Sequence, residues 1–384
     1  MTKTVVLAAK RTPIGAFGGA LSAFSAPQLA SFAIRACLQG FEPLTEQIDE
    51  VMLGCVLQGG LGQSPARQAA HLAGLPWQIG VSTLNKVCGS GMKTLMLADS
   101  VIRASDAKLV LAGGMESMSN APFITPRHLP RFGHGKLLDL MVLDGLEDAY
   151  EHRLMGAYAE ACAKHYGFSR AMQDTYTKES ALRAQLAIEE GAFVKEIVPV
   201  ARKDKSMDRD EDPLRIDINK IERLKPAFAE DGTVTAASSA KISDAAATLL
   251  LANADWAKEN NLAPKAYIAG HSSHSQEPQW FTTAPVAAIG KLLDKLGWNK
   301  DEVLFEINEA FAVVPMAAMK ELELNHARVN VRGGACALGH PLGATGARIV
   351  TTLLYAMEDL GYKKGIAAAC IGGGEATAIA LEIP

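Results

Sequence analysis

The chain has 384 residues, which is more than one ordinary core holds, so two or more domains or subdomains are expected. Hydrophobic residues make up 48% and charged residues 21%, a balance typical of a soluble globular protein, and no apolar run is long enough to span a membrane. The net charge of −4 gives no reason to expect nucleic acid or an anionic membrane surface as a partner.

The first third of the chain alternates predicted strands with predicted helices. Strands are predicted over residues 4–9, 51–56 and 108–117, and helices over 27–37 and 68–73. Alternation at this spacing predicts an α/β fold. The six cysteines are scattered without Cys-x-x-Cys spacing, which argues against a zinc site or a disulfide framework and favours a reduced, cytoplasmic protein.

One cysteine in this third stands at the turn between a strand-like and a helix-like segment. Cys88 ends a short apolar run, Gly89 and Gly91 follow, and apolar residues then recur at helical spacing. Unpaired backbone N–H groups and the positive end of a helix dipole lower the pKa of a thiol, so Cys88 is a candidate nucleophile. The alternative is a small buried cysteine, which is the commoner fate of a lone cysteine.

Residues 119–241 differ in character, with many Pro, Arg, Asp and aromatic residues and few clear strands. One helix is predicted from Ser169 to Glu190, closed by Gly191. Residues 202–225 include many charged residues of both signs, and we expect most of these charges to lie on a solvated face. We interpret the whole block as an insertion that carries loops.

From about residue 262 the alternation of strands and helices returns. Predicted strands cover residues 266–269, 303–307 and 364–370, and predicted helices cover 285–296, 311–322 and 345–358.

The sequence around Cys88 has a counterpart in this last part of the chain. Residues 88–93 resemble residues 343–348 at an offset of 255 (343 minus 88), and both open a helix. The glycine turns that end in Glu116 and Glu375 also match, at an offset of 259 (375 minus 116). Two matches in the same order predict two similar halves, so we place domains at 1–118 with 242–261, at 119–241 and at 262–384. Halves packed face to face would bring their helix N-termini and glycine turns to one site.

Three further polar residues fall at predicted strand ends or in glycine loops. His340 lies between glycines and before a proline, which keeps it out of a helix, and histidine is the natural base for a thiol. Cys370 precedes a glycine triplet whose backbone N–H groups can face an oxyanion, although such a triplet also suits a simple turn or a phosphate. Asn308 could be a helix N-cap or an amide that holds a water or a carbonyl.

With two thiols and one histidine in one site, the two cysteines can take different chemical roles. One cysteine can carry an acyl group while the other moves a proton, which suits a carbon–carbon bond made or broken beside a thioester.

Six segments of the chain resemble motifs of the thiolase family, specifically of its acetyl-CoA acetyltransferase (acetoacetyl-CoA thiolase) type. They stand in family order and together cover essentially the whole chain, at residues 85–91, 113–119, 155–160, 308–312, 333–343 and 370–374. The resemblance implies a five-layered αβαβα fold of two similar halves plus an inserted loop domain. It also implies subunits that assemble as homotetramers, built as dimers of dimers.

The resemblance further implies a reversible Claisen condensation of two acetyl-CoA to acetoacetyl-CoA and CoA. Cys88 would carry the acetyl group, His340 would activate it, and Cys370 would move the proton at Cα. Asn308 would hold a water that forms one oxyanion hole with His340, and the backbone N–H groups of Cys88 and Gly372 would form the other. No metal and no cofactor is implied, because the CoA thioesters are themselves the substrates.

The same resemblance suggests which residues contact CoA. By motif position, the contacts to the pantetheine arm are Met155, Phe228, Ala236, Ala310 and Phe311. The basic candidates for the CoA phosphates are Arg215, Lys220 and Arg223.

Two departures from the family pattern concern the substrate pocket. A family serine that touches the pantetheine would fall at Ala240, so Ser239 is the substitute candidate. Near the acyl pocket, Phe281 resembles members that act on acetoacetyl-CoA or its 2-methyl form. A broader-range 3-ketoacyl-CoA thiolase is therefore one alternative. A non-catalytic acyl-CoA-binding subunit is another, and a ketoacyl synthase relative would need a histidine where Asn308 stands.

Overall fold

The computed structural model describes residues 3–128, 130–202 and 205–384, so residues 203 and 204 of the charge-dense stretch lie outside the described part. The strands are β1 (Thr4–Arg11), β2 (Gly15–Ala16), β3 (Glu50–Gly54), β4 (Gly80–Leu84), β5 (Leu109–Ser117), β6 (Phe123–Ile124), β7 (Leu138–Asp139), β8 (Val200–Arg202), β9 (Lys205–Met207), β10 (Ser243–Asn253), β11 (Ala266–Ser275), β12 (Val303–Ile307), β13 (Lys364–Ile371) and β14 (Glu375–Glu382). The helices are α1 (Ala26–Cys37), α2 (Pro65–Leu72), α3 (Ser90–Arg103), α4 (Met155–Tyr166), α5 (Arg170–Glu189), α6 (Ala254–Glu259), α7 (Ala284–Leu296), α8 (Val313–Leu322), α9 (Ala335–Leu338) and α10 (Leu342–Leu360).

The main sheet repeats one strand pattern on both sides of a central joint. Its strand order is β12-β13-β14-β11-β1-β10-β5-β3-β4, with β2 paired to β10. Counted outward from the joint between β1 and β11, the strands run β1-β10-β5-β3 on one side and β11-β14-β13-β12 on the other. In each half the first two pairings are antiparallel and the third is parallel. The joint itself consists of two residue pairs, Val5 with Tyr267 and Val6 with Ala266. The predicted duplication is therefore present in the strands.

Helices lie on both faces of these strands and between the two halves, which gives five layers. One core cluster joins α1 and α2 to the outer face of the N-terminal strands, with Leu29 and Ile34 among its members. A second joins α3 and α10 to strands of both halves, with Leu95 and Leu353 among its members. A third packs α7 and α8 on the C-terminal strands. The expected α/β class and five-layered αβαβα arrangement are confirmed.

The middle helices, α3 and α10, meet backbone to backbone through equivalent glycines. A Cβ on Gly346 would lie 2.2 Å from the backbone nitrogen of Met92, and one on Gly91 would lie 2.8 Å from the carbonyl oxygen of Gly343. The buried carboxylate of Glu116 also crosses between the halves and accepts the Gly343 N–H at 2.8 Å. The N-termini of both helices are thereby held at one place.

One acidic residue of the charge-dense stretch does not lie on a solvated face. Asp210 is fully buried, and its two carboxylate oxygens lie 2.7 and 2.9 Å from the Arg11 guanidinium. Asp210 is thus an exception to the solvated face expected for most of these charges, and a bidentate partner on β1 compensates its burial.

Gly346→Ala is expected to lower the free energy of unfolding by about 1–3 kcal/mol, because the new methyl group would meet fixed backbone at Met92. The control is Gly290→Ala in α7, where the nearest atom to a new Cβ, on Leu322, is 3.9 Å away. That variant is expected to be neutral or to gain up to about 1 kcal/mol from helix propensity. Urea unfolding measures the free energy of unfolding of both variants. A Gly346→Ala variant as stable as the wild type would contradict the close backbone contact.

Candidate active site

The turn that carries Cys88 is strained and closed by hydrogen bonds. Val87, a β-branched residue, has a φ of +46°, which such residues rarely adopt. Its N–H donates to Asn85 Oδ1 at 2.9 Å, while Ser90 Oγ accepts the Lys86 N–H at 2.8 Å and donates to the Val87 carbonyl at 2.6 Å. These bonds hold Cys88 directly before α3, where the sequence predicted it.

The glycine triplet forms the facing turn, between β13 and β14. Gly374 has a φ of +88°, a conformation that L side chains rarely adopt. The backbone N–H of Gly372 faces the Cys88 sulfur and favours its ionised form. Lys86 and Glu375 form an ion pair at 2.6 Å that ties the two turns together.

His340 lies between α9 and α10, and its ring is fixed at both nitrogens. Nδ1 is 2.6 Å from Thr345 Oγ1, whose hydroxyl in turn donates to the Pro341 carbonyl at 3.0 Å. The hydroxyl therefore accepts from Nδ1–H, and Nε2 is left as the acceptor. Asn308 Nδ2 lies 3.5 Å from that Nε2.

Asn308 is not the N-cap of the following helix, because α8 begins at Val313 and Ala312 takes the cap position. Its side chain is buried beside His340, and its Oδ1 has no hydrogen-bond partner among the residues that the structure describes. The N-cap interpretation is excluded, and an amide oxygen is left for a water or a substrate group.

Burial dominates the electrostatics of Cys88 and His340. It raises the pKa of Cys88 to about 11, against the backbone N–H groups of Gly372 and Cys88 itself, so the expected lowering of this pKa was wrong. Burial and the Arg348 charge lower the pKa of His340 to about 3. The resting pair is a neutral thiol and a neutral imidazole.

Cys370 lies at the end of β13 and is completely buried. Burial, and then the neighbouring Cys88, raise the pKa of its thiol. The structure thus brings both cysteines, the histidine and Asn308 together, as the sequence predicted from their positions at strand ends.

A largely apolar cavity of about 330 Å³ opens onto this cluster. Nine of the residues predicted for the site line it, namely Cys88, Met155, Phe228, Ser239, Phe281, Ala310, Phe311, His340 and Gly372. Asn308 and Cys370 lie behind this lining, next to His340 and Cys88. Sequence reasoning missed the wall formed by Met141, Val142 and Leu146, because it lies in the inserted block and carries no motif.

The remaining CoA candidates do not line this cavity. Ala236 and Lys220 border a separate groove beside it, and Lys220 pairs with Asp217 at 3.3 Å. Arg215 is exposed and pairs with Glu211, and Arg223 is exposed. Their contacts with CoA stay predictions.

Across the described ranges, no cluster of three or more His, Cys, Asp or Glu residues is arranged to hold a metal ion. No helix in those ranges is long and apolar enough to cross a membrane.

The chain matches two family models, described as the thiolase N-terminal domain over residues 4–255 and the thiolase C-terminal domain over residues 262–383. The acetyl-CoA acetyltransferase of Pseudomonas aeruginosa is 45% identical to it over 99% of both chains. The mitochondrial acetyl-CoA acetyltransferase of Bos taurus is 42% identical, over 100% of this chain and 92% of its own. The crystal structure of the Acat5 thiolase from Ascaris suum in complex with coenzyme A superposes with a TM-score of 0.95 at 41% identity, with both chains fully covered.

The single-turnover acetylation of Cys88 by acetyl-CoA is expected to change less than about threefold between about pH 5.5 and about pH 8. Across that range Cys88, with a pKa of about 11, keeps its proton and His340, with a pKa of about 3, stays neutral. Rapid-quench labelling with radioactive acetyl-CoA measures the rate. A fall centred near pH 6.5, the ordinary value for histidine, would contradict the neutral, buried His340.

Proposed function

The chain belongs to the thiolase family, and on that premise we propose that it condenses two acetyl-CoA to acetoacetyl-CoA and CoA, and runs the reverse thiolysis. The intermediate is an acetyl group on Cys88. The observation that carries this proposal is that Cys88 and His340 line one apolar cavity and that a second thiol, Cys370, lies directly behind Cys88. A binding subunit would have no use for that set.

In the first half-reaction the Cys88 sulfur attacks the thioester carbonyl carbon, and its proton passes to Nε2 of His340. The backbone N–H groups of Cys88 and Gly372, which already point at the sulfur, would hold the oxyanion. The tetrahedral intermediate expels the CoA thiolate, which takes the proton of Cys370. The products are acetyl-Cys88, imidazolium at His340 and a Cys370 thiolate.

In the second half-reaction the Cys370 thiolate removes a proton from Cα of the second acetyl-CoA. The enolate oxygen would be stabilised by His340 and by a water on the free Oδ1 of Asn308. The carbanion attacks the acetyl carbonyl, Cys88 leaves as a thiolate, and His340 returns its proton.

Several finer features belong to the same proposal. The pantetheine arm of CoA would run along Met155, Phe228 and Phe311, which line the cavity. Assembly as a homotetramer, a place in lipid metabolism and a cytoplasmic location are proposed from the family resemblance and the cysteine pattern. A requirement for no metal or cofactor is proposed on the same basis.

The acyl range depends on the aromatic end of the cavity. Phe281 and Phe311 pack edge to face with ring centroids 6.3 Å apart, and Phe311 makes a similar contact with Phe228 at 5.8 Å. Rings locked in this way favour a short acyl group. Thiolysis rates for a series of 3-ketoacyl-CoAs from four to about 16 carbons, with the 2-methyl C4 compound, separate this reading from a broader-range thiolase.

Cys88→Ala is expected to abolish acetyl-enzyme formation, because the nucleophilic sulfur is gone. Incubation with radiolabelled acetyl-CoA, followed by peptide mapping, measures it. The matched control is Cys37→Ala, which removes a thiol buried in α1 away from the cavity and should label fully. Full labelling of Cys88→Ala at another residue would refute the assignment.

Cys370→Ala is expected to retain acetylation at Cys88 but to lose condensation and thiolysis by about 10²–10⁴-fold, because the Cα proton then has no base. Steady-state assays in both directions measure the loss. Cys162→Ala, another buried thiol in the same core cluster, is the control and should keep its turnover. Normal turnover of Cys370→Ala would rule out the acid/base role.

A further inference from the structure

Lys241 is the one charged side chain among the described residues that line the catalytic cavity, given that His340 is neutral. The other polar groups in the lining are already committed: Ser239 Oγ donates to the Thr235 carbonyl at 2.7 Å, and Cys88 is the proposed nucleophile. A small number of polar groups in an apolar cavity usually fixes the orientation of a ligand. A lysine in that position therefore needs an explanation.

The backbone holds Lys241 directly beside the catalytic base. Its N–H donates to the Ala335 carbonyl at 3.2 Å, and its carbonyl accepts the His340 N–H at 2.9 Å. Both partners belong to the segment that carries His340 into the site. The Cα of Lys241 is thus fixed next to the reaction centre.

The ammonium group of Lys241 lacks a countercharge. Its Nζ donates to the Ala236 carbonyl at 2.7 Å, and no described carboxylate forms an ion pair with it. Burial lowers the pKa of this ammonium, and Cys336, Asp212 and Glu309 oppose the shift only from a distance. An ammonium has three N–H donors, so two remain for a ligand.

The side chain runs from the reaction centre toward solvent. Lys241 also borders the neighbouring groove, together with Lys220 and the exposed Ala236 that accepts its hydrogen bond. The side chain therefore lies at the border between the catalytic cavity and this groove, with its ammonium bonded to an exposed carbonyl.

We propose that the ammonium of Lys241 binds an amide carbonyl oxygen of the pantetheine arm of the CoA thioester, a role that rests on the proposed function. Cys88 and His340 fix where the thioester sulfur lies, and a lysine side chain spans roughly 6 Å from Cα to Nζ. Within that reach the arm offers its amide oxygens, whereas the phosphates stand at its far end. The cation would thus set the depth to which the arm enters.

The test compares Lys241→Met, which keeps the apolar stem, with Lys241→Arg, which keeps the charge. The substrates are acetyl-CoA and acetyl-pantetheine, which has both amides but no nucleotide phosphates. Lys241→Met is expected to raise the KM of both by about tenfold, with the loss falling on KM and not on kcat. Lys241→Arg should recover most of the loss. Lys295→Met, on the outer helix α7, is the control and should match the wild type.

Three results would overturn the inference. An unchanged KM for Lys241→Met would show that the ammonium binds no part of the substrate. A rise confined to acetyl-CoA would assign it to a phosphate, and a fall in kcat at unchanged KM would make it a positioning residue for His340. Failure of the proposed function is distinct, because the wild type itself would then form no acetyl-Cys88 from acetyl-CoA.

Discussion

The site depends on one steric constraint, the backbone contact between α3 and α10. Gly346 lies against the backbone of Met92, and Gly91 against the carbonyl of Gly343, with no room for a Cβ at either place. Because the helices cannot move further apart without opening the central layer, their N-termini stay at one point. Cys88 precedes one helix and His340 precedes the other, so the contact keeps these two residues near each other.

The second determinant is burial, which keeps the site uncharged until a substrate arrives. A thiol whose pKa is raised to about 11 and an imidazole whose pKa is lowered to about 3 do not exchange a proton at rest. In the proposed mechanism, attack on a thioester changes this balance, because the developing oxyanion would meet the backbone N–H groups of Cys88 and Gly372. The strained Val87 and the ion pair between Lys86 and Glu375 keep those groups aimed at the sulfur.

Most of the fold and of the candidate site could be predicted from the sequence. The features that could not be predicted were missed for physical reasons. The predicted helix from Ser169 to Glu190 is α5, and Ser169 caps it as expected by accepting the Met172 N–H. Strands β10 and β14 were not predicted, because they are rich in alanine, hold few β-branched residues and are buried at nearly every position, so they lack the apolar–polar alternation of a half-buried strand. Local dipole arguments gave the wrong sign for the Cys88 pKa, since desolvation arises from residues far away in sequence.

The position of Lys241 could not be predicted from the sequence either, because no residue near it in the chain indicates that it lies beside His340. The limits of the three predicted domains stay predictions. The duplication on which they rest is visible in the repeated strand order.

The strand order also has a consequence for synthesis on the ribosome. β10 lies between β1 and β5, yet it follows the whole inserted block in sequence. Nascent β1 therefore has no neighbour in the sheet until residue 243 has left the exit tunnel, and β3, β4 and β5 wait as a partial parallel sheet with an open edge. Such an edge can pair with other chains, so the part-made sheet is open to aggregation until β10 emerges and covers it.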